Sequence, residues 1–136
     1  MNKKYELTSE KISVDGHTLY RIRALRQLND IRTRDLGGFV ESEFNLSHEG
    51  CCWVDDNAMV FGDAWVCGDA VVGGNAVVEG GVWVGGDSRI SGDAMVFGDA
   101  VVFGNTKLDS GIWNQQIEIN DNCYLISTTL RKLLMR

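Results

Sequence analysis

A strict six-residue period dominates the chain from residue 50 to residue 109. Every sixth residue from Val54 to Leu108 is Val, Ile or Leu, and the residue two places earlier is most often Ala. A short fixed period indicates stacked units that cannot bury a core singly, and six-residue repeats are typical of a parallel β-helix. This period constrains the fold more tightly than any other property of the sequence.

The repeating unit reads Gly-Asp-Ala-x-Val-x, and residues 62–67 show it without deviation. Because strand side chains alternate between two sides, Ala64 and Val66 should point inward while Trp65 and Cys67 point outward. Gly-Asp, Gly-Asn and Gly-Gly pairs separate the strands, and such pairs turn a chain sharply at little steric cost. In the arrangement known for such repeats, three units make one triangular coil, and the coils stack about 4.8 Å apart.

The pattern resembles the left-handed β-helix proteins, the hexapeptide-repeat superfamily that includes trimeric acyltransferases. The resemblance covers residues 50–109 well and residues 44–49 and 115–126 loosely. It implies the left hand of the coil, since parallel crossovers are normally right-handed. The superfamily usually places Gly directly after the Val slot, whereas this chain places it two residues after that slot.

The N-terminal part resembles the opening of uncharacterised repeat proteins from phages and prophages. The residues that carry this likeness form three runs, Tyr20-Arg21-Ile22-Arg23-Ala24-Leu25, Asp35-Leu36-Gly37-Gly38-Phe39-Val40-Glu41-Ser42-Glu43 and Asn45-Leu46-Ser47-His48. The likeness implies a phage or prophage source and no established activity.

We expect one all-β domain over residues 1–136. Alternating apolar and polar residues around Asp15-Gly16 predict a β-hairpin, which would cap the first coil within residues 1–43. The β-helix body should span residues 44–126, with a one-residue phase slip at residues 110–114. Residues 127–136 should form a short helix that packs on the last coil. Beyond the slip, the predicted inward pairs are Ile117 with Ile119 and Cys123 with Leu125.

The chain lacks the ~20 consecutive apolar residues of a membrane span, and its first residues do not read as a signal peptide. We therefore expect a cytoplasmic protein with no membrane contact. Its cysteines show no paired spacing, so reduced thiols are expected. They are Cys51, Cys52, Cys67 and Cys123.

Charge is distributed unevenly. Residues 1–35 carry a net charge of +3 and residues 127–136 a net charge of +3, whereas the body between them carries −12. An acidic body repels phosphates, so we expect no direct binding of nucleic acid and instead an attraction for a basic protein. The alternative is that corner aspartates serve turn geometry and solubility. The acidic candidates for partner binding are Asp63, Asp69, Asp87, Asp93 and Asp99.

Residues eighteen apart should stack on one outer face of the coil, which gives three faces. The first, with Trp53, Val71, Arg89 and Lys107, is an ordinary mixed surface. The second collects Met59, Phe61, Val77, Met95 and Phe97. The third collects Trp65, Cys67, Trp83, Val101 and Phe103.

Two apolar faces on a small protein predict that another surface packs against them, because large apolar patches and exposed aromatics mark interfaces. We expect self-association into a dimer or trimer, with the third face as the first candidate for the contact. A foreign protein is the second possibility. Aromatic cross-strand ladders that need no partner are the third.

Catalysis has one weak candidate, His48, because a His acts as the base in the acyltransferases that the repeat resembles. In those trimers the acyl carrier lies between subunits. Here His48 falls in an inward Val-type slot, with Ser47 and Glu49 as potential partners, and no loop interrupts the repeats to make a pocket. We expect no metal site, since Cys51 and Cys52 point to opposite sides, and no nucleotide cofactor, since no phosphate-binding loop is present.

The sequence therefore favours a non-enzymatic interaction module that self-associates. A phage-encoded module of this kind would suit an inhibitor of a host protein complex, such as a defence effector of the CRISPR type. One alternative is a minimal acyltransferase that uses acetyl-coenzyme A and His48. Another is a structural subunit that polymerises end to end.

Overall fold

The computed structural model describes residues 3–114, and these form a β-solenoid with one 3-10 turn at Glu43–Asn45. The predicted all-β parallel β-helix is confirmed. The three long strands are β1 (Tyr5–Val14), β2 (His17–Ala24) and β3 (Leu36–Val40). Two-residue strands follow: β4 (Trp53–Val54), β5 (Met59–Val60), β6 (Trp65–Val66), β7 (Val71–Val72), β8 (Val77–Val78), β9 (Trp83–Val84), β10 (Arg89–Ile90), β11 (Met95–Val96), β12 (Val101–Val102), β13 (Lys107–Leu108) and β14 (Ile112–Trp113). The predicted C-terminal helix and the inward pairs Ile117 with Ile119 and Cys123 with Leu125 lie outside the described residues.

The short strands stack into three parallel sheets, one on each side of the coil. Their orders are β4-β7-β10-β13, β6-β9-β12, and a third sheet in which β3-β5-β8-β11-β14 continues the hairpin β1-β2. Trp65 pairs with Trp83 and Met59 with Val77, so the eighteen-residue coil is confirmed. Each coil hydrogen-bonds to the next, as Trp65 N–H does to the Val82 carbonyl at 2.9 Å.

The core consists of the inward columns that the six-residue period predicts. All Val-type slots from Val54 to Leu108 are at most 2% exposed, and the Ala-type slots are buried as well. Two Ala-type slots hold hydroxyls, and both are satisfied locally: Ser88 donates to the Gly85 carbonyl at 2.6 Å and Thr106 to the Phe103 carbonyl at 2.7 Å. The Ser and Thr that replace Ala in the core therefore keep their buried hydroxyls hydrogen-bonded to the backbone.

Glycine is favoured at the corners by both conformation and space, although Asp56 holds one of these positions at φ 55°. Gly86 has φ +63°, and a Cβ placed there would lie 2.7 Å from the Gly104 nitrogen of the next coil. A side chain at this corner would therefore both strain the backbone and push the coils apart.

The predicted phase slip is confirmed at the end of the described repeats. Met95 pairs with Ile112, one residue short of the usual spacing, and Val96 pairs with Trp113. Trp113 occupies the inward slot at 5% exposure, and its Nε1–H donates to the Ser110 carbonyl at 2.8 Å. The shorter unit thus lets one bulky side chain replace a Val in the core column.

The N-terminal part caps the first coil, as predicted. Strands β1 and β2 form an antiparallel hairpin whose turn, Asp15-Gly16, has positive φ at both residues. Strand β3 then runs parallel to β5, with Phe39 beside Met59, so the hairpin and the coil share one sheet. No helix of the described residues is long and apolar enough to cross a membrane.

Candidate functional site

The sheet β6-β9-β12 presents an open apolar strip, which we call the tryptophan face. Its members are the predicted self-association residues Trp65, Cys67, Trp83, Val101 and Phe103. The Trp65 and Trp83 rings meet edge to face, with centroids 5.1 Å apart and planes at 75°. Trp83 is 54% exposed, while the other four are partly buried. None of the outward positions on this sheet carries a charge.

The flatness of the tryptophan face follows from its registers. Residues of successive coils lie directly over one another, as Trp83 and Val101 do. Gly85 follows Trp83 at the next outward position, and a Cβ there would lie 3.2 Å from the Cys67 sulfur. An edge-to-face aromatic pair contributes about 0.5–1.5 kcal/mol beyond its buried area. The aromatic side chains of the strip are thus already in contact with one another in the single chain.

Four of the five predicted acidic residues border the tryptophan face. Each strand of this sheet lies between two corners; Asp63 and Asp99 stand on the corners along one edge, and Asp69 and Asp87 on those along the other. All four are exposed, and within residues 3–114 none of their carboxylates pairs with a basic side chain. Asp93 lies apart, on the corner between the other two sheets. The structure thus brings the apolar strip and four carboxylates into one surface.

The second predicted apolar face, which we call the methionine face, is half covered by the chain itself. Its members are Met59, Phe61, Val77, Met95 and Phe97. Phe61 is only 1% exposed because it packs in one cluster with Leu19 and Phe39, against which Ile12 and Val14 of the hairpin also lie. The expectation that all of this face is open is therefore wrong for its first coil.

A polar contact fastens the hairpin over that face. His17 Nδ1 lies 2.9 Å from Glu41 Oε2, and the Gly62 N–H donates to Glu41 Oε1 at 2.9 Å. The His17 ring lies 5.0 Å from the Phe61 ring. The hydrogen bond from His17 is the main cause that lowers the pKa of Glu41, and the Gly62 N–H adds to it. A hydrogen bond and a ring contact thus hold the hairpin tip in the same place.

Trp53 is not part of the mixed outer surface where the sequence placed it. It is fully buried, and Tyr5 meets its ring edge to face at 6.4 Å between centroids. The start of β1 therefore covers the beginning of the first face. Trp53 Nε1 has no hydrogen-bond partner among residues 3–114.

His48 is a packing residue of the end cap and not an inward core residue. Its ring stacks on Tyr5 at 4.2 Å between centroids. Nδ1 accepts from the Lys4 N–H at 3.1 Å, so Nε2 carries the proton and donates to Glu43 Oε1 at 2.7 Å. The expected partners Ser47 and Glu49 are therefore wrong. Both ring nitrogens are therefore engaged in hydrogen bonds, and the protonated Nε2 faces a carboxylate.

Sequence reasoning missed the burial of Lys4. Its side chain is fully buried, and Nζ donates to the Cys52 carbonyl at 2.7 Å and lies 3.1 Å from Cys52 Sγ. One sequence signal pointed to an unusual contact at this position, because Cys52 replaces Ala at an inward slot. The residues around Lys4 gave no signal that its side chain would be buried. Cys51, Cys52 and Cys67 are free thiols, and residues 3–114 contain no cluster of three or more His, Cys, Asp or Glu that could hold a metal.

One protein-family model matches the chain, the one described as the YdcK beta solenoid repeat, over residues 88–104. This stretch runs through strands β10, β11 and β12. No curated protein matches the chain. The match supports a β-helix repeat protein, in agreement with the stacked coils.

Proposed function

We propose that the chain is a non-enzymatic protein-interaction module that self-associates, as a dimer or trimer, through the tryptophan face. The observation that carries the proposal is the 54% exposure of Trp83 at the centre of an uncharged apolar strip. Tryptophan is enriched among the residues that dominate binding energy, above all at the centre of interfaces. The hairpin covers much of the methionine face, whereas no described element covers this one.

A second copy is a suitable cover because the strip is flat and repeats along the coil. In a two-fold contact, Trp65 and Trp83 of one copy would lie on the same strip of its partner. The carboxylates would then form the rim, where like charges repel weakly and salt screens them over about 10 Å at 0.1 M. Each copy carries a net charge of −6, so added salt should strengthen this association.

Light scattering over a range of concentration and salt tests the proposal. We expect a dimer or trimer for the wild type and a monomer for Trp65→Glu/Trp83→Glu. Asn75→Glu/Ser91→Glu adds the same charge at sites away from the tryptophan face, and it should keep the wild-type mass. A wild type that stays monomeric at every concentration and salt would contradict self-association.

A foreign basic protein is the second candidate for the same face. The observation that favours it is the border of four exposed carboxylates around the apolar strip. We further propose that such a module comes from a phage or prophage and inhibits a host protein complex, such as a defence effector. Its setting would be the host cytoplasm, where the free thiols would persist.

Salt separates the two candidates, because it should weaken a complex with a basic partner and strengthen self-association. Replacing the four bordering aspartates with Asn should reduce capture of a basic protein from host lysate; these are Asp63, Asp69, Asp87 and Asp99. Asp93→Asn is the matched control and should leave capture unchanged. Equal capture by all variants would argue against a role for the acidic border.

We also propose a relation to the hexapeptide-repeat superfamily, and with it the left hand of the coil. The three-sheet coil supports this relation. The alternative of a minimal acyltransferase is weakened because both nitrogens of His48 are engaged. If calorimetry shows that the chain binds acetyl-coenzyme A and that His48→Ala abolishes the binding, the acyltransferase hypothesis would be supported again. The end-to-end polymer is weakened because the hairpin occupies one end of the solenoid.

A further inference from the structure

A buried lysine and a buried cysteine meet at the capped end of the solenoid. Lys4 directly precedes β1, and Cys52 fills the first inward Ala-type slot of the repeats. The two residues are 48 positions apart in sequence, yet Lys4 Nζ lies 3.1 Å from Cys52 Sγ. Both side chains belong to residues with no exposed surface.

Burial shifts the pKa values of both members of this pair toward their neutral forms, and the interaction between the two groups opposes that shift. No described carboxylate forms an ion pair with Lys4, and an unpaired buried ammonium is costly. Burial lowers the pKa of Lys4, with the nearby positive charge of Arg26 adding to the effect, and burial raises the pKa of Cys52.

Hydrogen bonds hold the two groups against the backbone and against each other. Lys4 Nζ donates to the Cys52 carbonyl at 2.7 Å and lies 3.4 Å from the Glu49 carbonyl and 3.5 Å from the Gly50 carbonyl. Nζ is also within donor distance of Cys52 Sγ, and the thiol has the carbonyls of Ser47, Val66 and Glu49 as acceptors at 3.5, 3.6 and 3.7 Å. Nitrogen and sulfur are therefore in direct contact, with no other side chain between them.

We propose that Lys4 and Cys52 form a covalent sulfenamide cross-link when the protein meets hydrogen peroxide. In the first step the Lys4 amine takes the thiol proton and the Cys52 sulfur attacks peroxide; an S–O bond forms, the O–O bond breaks, and the leaving hydroxide takes the proton from the Lys4 ammonium to become water. The neutral amine then attacks the sulfur of the sulfenic acid; an N–S bond forms, the S–O bond breaks, and the hydroxyl leaves as water with one proton of the amine. One peroxide is reduced to two waters, and the pair loses two hydrogens. Sulfenic acids condense with backbone nitrogen in the same way.

The position of the pair permits access by a small oxidant and gives the link a structural effect. Lys3, Glu49 and Gly50 are exposed, so the pair lies one residue beneath the surface. The bond would tie the start of β1 to the first coil and close a loop across the end cap. Closing a loop of this length should raise the unfolding midpoint by at least about 5 °C.

The test uses the full chain, treated with hydrogen peroxide, denatured, alkylated with iodoacetamide and analysed by mass spectrometry. We expect a loss of about 2 Da before alkylation. Three of the four cysteines should then be alkylated, and trypsin should no longer cut after Lys4. Dithiothreitol should reverse all of these changes.

Matched variants separate the link from general oxidation. Cys51→Ser removes the neighbouring, more exposed thiol and should keep the link. Cys52→Ala, which restores the residue common at this slot, should abolish the link and still fold; Lys4→Met keeps a long side chain without an amine and should abolish it too. The loss of two alkylable thiols, which indicates a disulfide, would overturn the proposal. So would a Cys52 that gains oxygen without joining Lys4.

Discussion

The methionine face and the tryptophan face are built from the same repeat and end up in different environments. Each carries large apolar side chains at outward positions of three successive coils. On the methionine face the hairpin buries Phe61 to 1% exposure, whereas on the tryptophan face Trp83 keeps 54%. The difference comes from an element outside the repeat, not from the repeat itself. An apolar residue at an outward position therefore predicts that something packs against it, but it does not show whether the same chain or another molecule does so.

Phe61 and Trp83 therefore have different roles, although both are large apolar residues at outward positions. Phe61 belongs to a folding contact, since Leu19 and Phe39 complete a cluster around it. Trp83 keeps 54% of its surface exposed and meets the Trp65 ring edge to face. Variants at the first face should therefore change the stability of the single chain, and variants at the second should change its association.

The largest expected effect is on stability, and two phenylalanines at equivalent slots of the repeat measure it. Phe61→Ala should lower the free energy of unfolding by about 3–5 kcal/mol, because it leaves a cavity under the hairpin. Phe103→Ala, on the tryptophan face, should cost about 1 kcal/mol or less in the monomer, because that side chain is only partly buried. Urea unfolding of both variants, at a concentration where the chain is monomeric, gives the two values. Equal losses would remove the distinction between the faces.

The next effect is on association, and two exposed side chains on different faces isolate it. Trp83→Ala should weaken self-association at least about tenfold, or about 1.4 kcal/mol, because it removes the most exposed aromatic of the proposed contact. Met95 is 39% exposed on the methionine face, and Met95→Ala should change the constant by less than about threefold. Sedimentation equilibrium measures both constants. A larger effect at Met95 would move the contact to the other face.

The sequence was sufficient for the parts of the fold that depend on the repeat. The slots from Val54 to Leu108, the eighteen-residue stacking and the slip before Trp113 all follow from a local period that the backbone obeys. Asp15-Gly16 likewise located the hairpin turn. These features need only local spacing and strand alternation.

The positions that the sequence missed depend on contacts between distant segments. Alternation along β1 and β2 predicts the hairpin but not where its tip lies, so the burial of Phe61 could not be foreseen. Trp53 and His48 were misplaced for the same reason, since Tyr5 contacts both from the start of the chain. The six-residue period predicts the structure of the coil but not which other segments pack against it.

The smallest expected effect concerns the polar contact that fastens the hairpin. The pKa of Glu41 is lowered in the folded protein, chiefly by its hydrogen bond with His17. A lowered carboxyl pKa stabilises the fold fully above the ordinary value of 4.5, and this stabilisation is lost as the pH falls through the lowered pKa. Glu41→Gln should therefore remove part of the acid-induced loss of stability, below about 1 kcal/mol because the pair is partly exposed.

Hydrogen exchange at the hairpin tip shows whether that contact acts on the cover of the methionine face. Glu41→Gln should speed amide exchange in residues 12–19, because the tip opens more often once the contact with His17 is weakened. Glu43→Gln is the matched control: the pKa of Glu43 is also lowered, mainly by its hydrogen bond with His48, but this pair lies in the end cap. It should leave exchange at the tip unchanged. If both variants open the tip equally, the hairpin is held by the cap as a whole, and the methionine face is covered by packing alone.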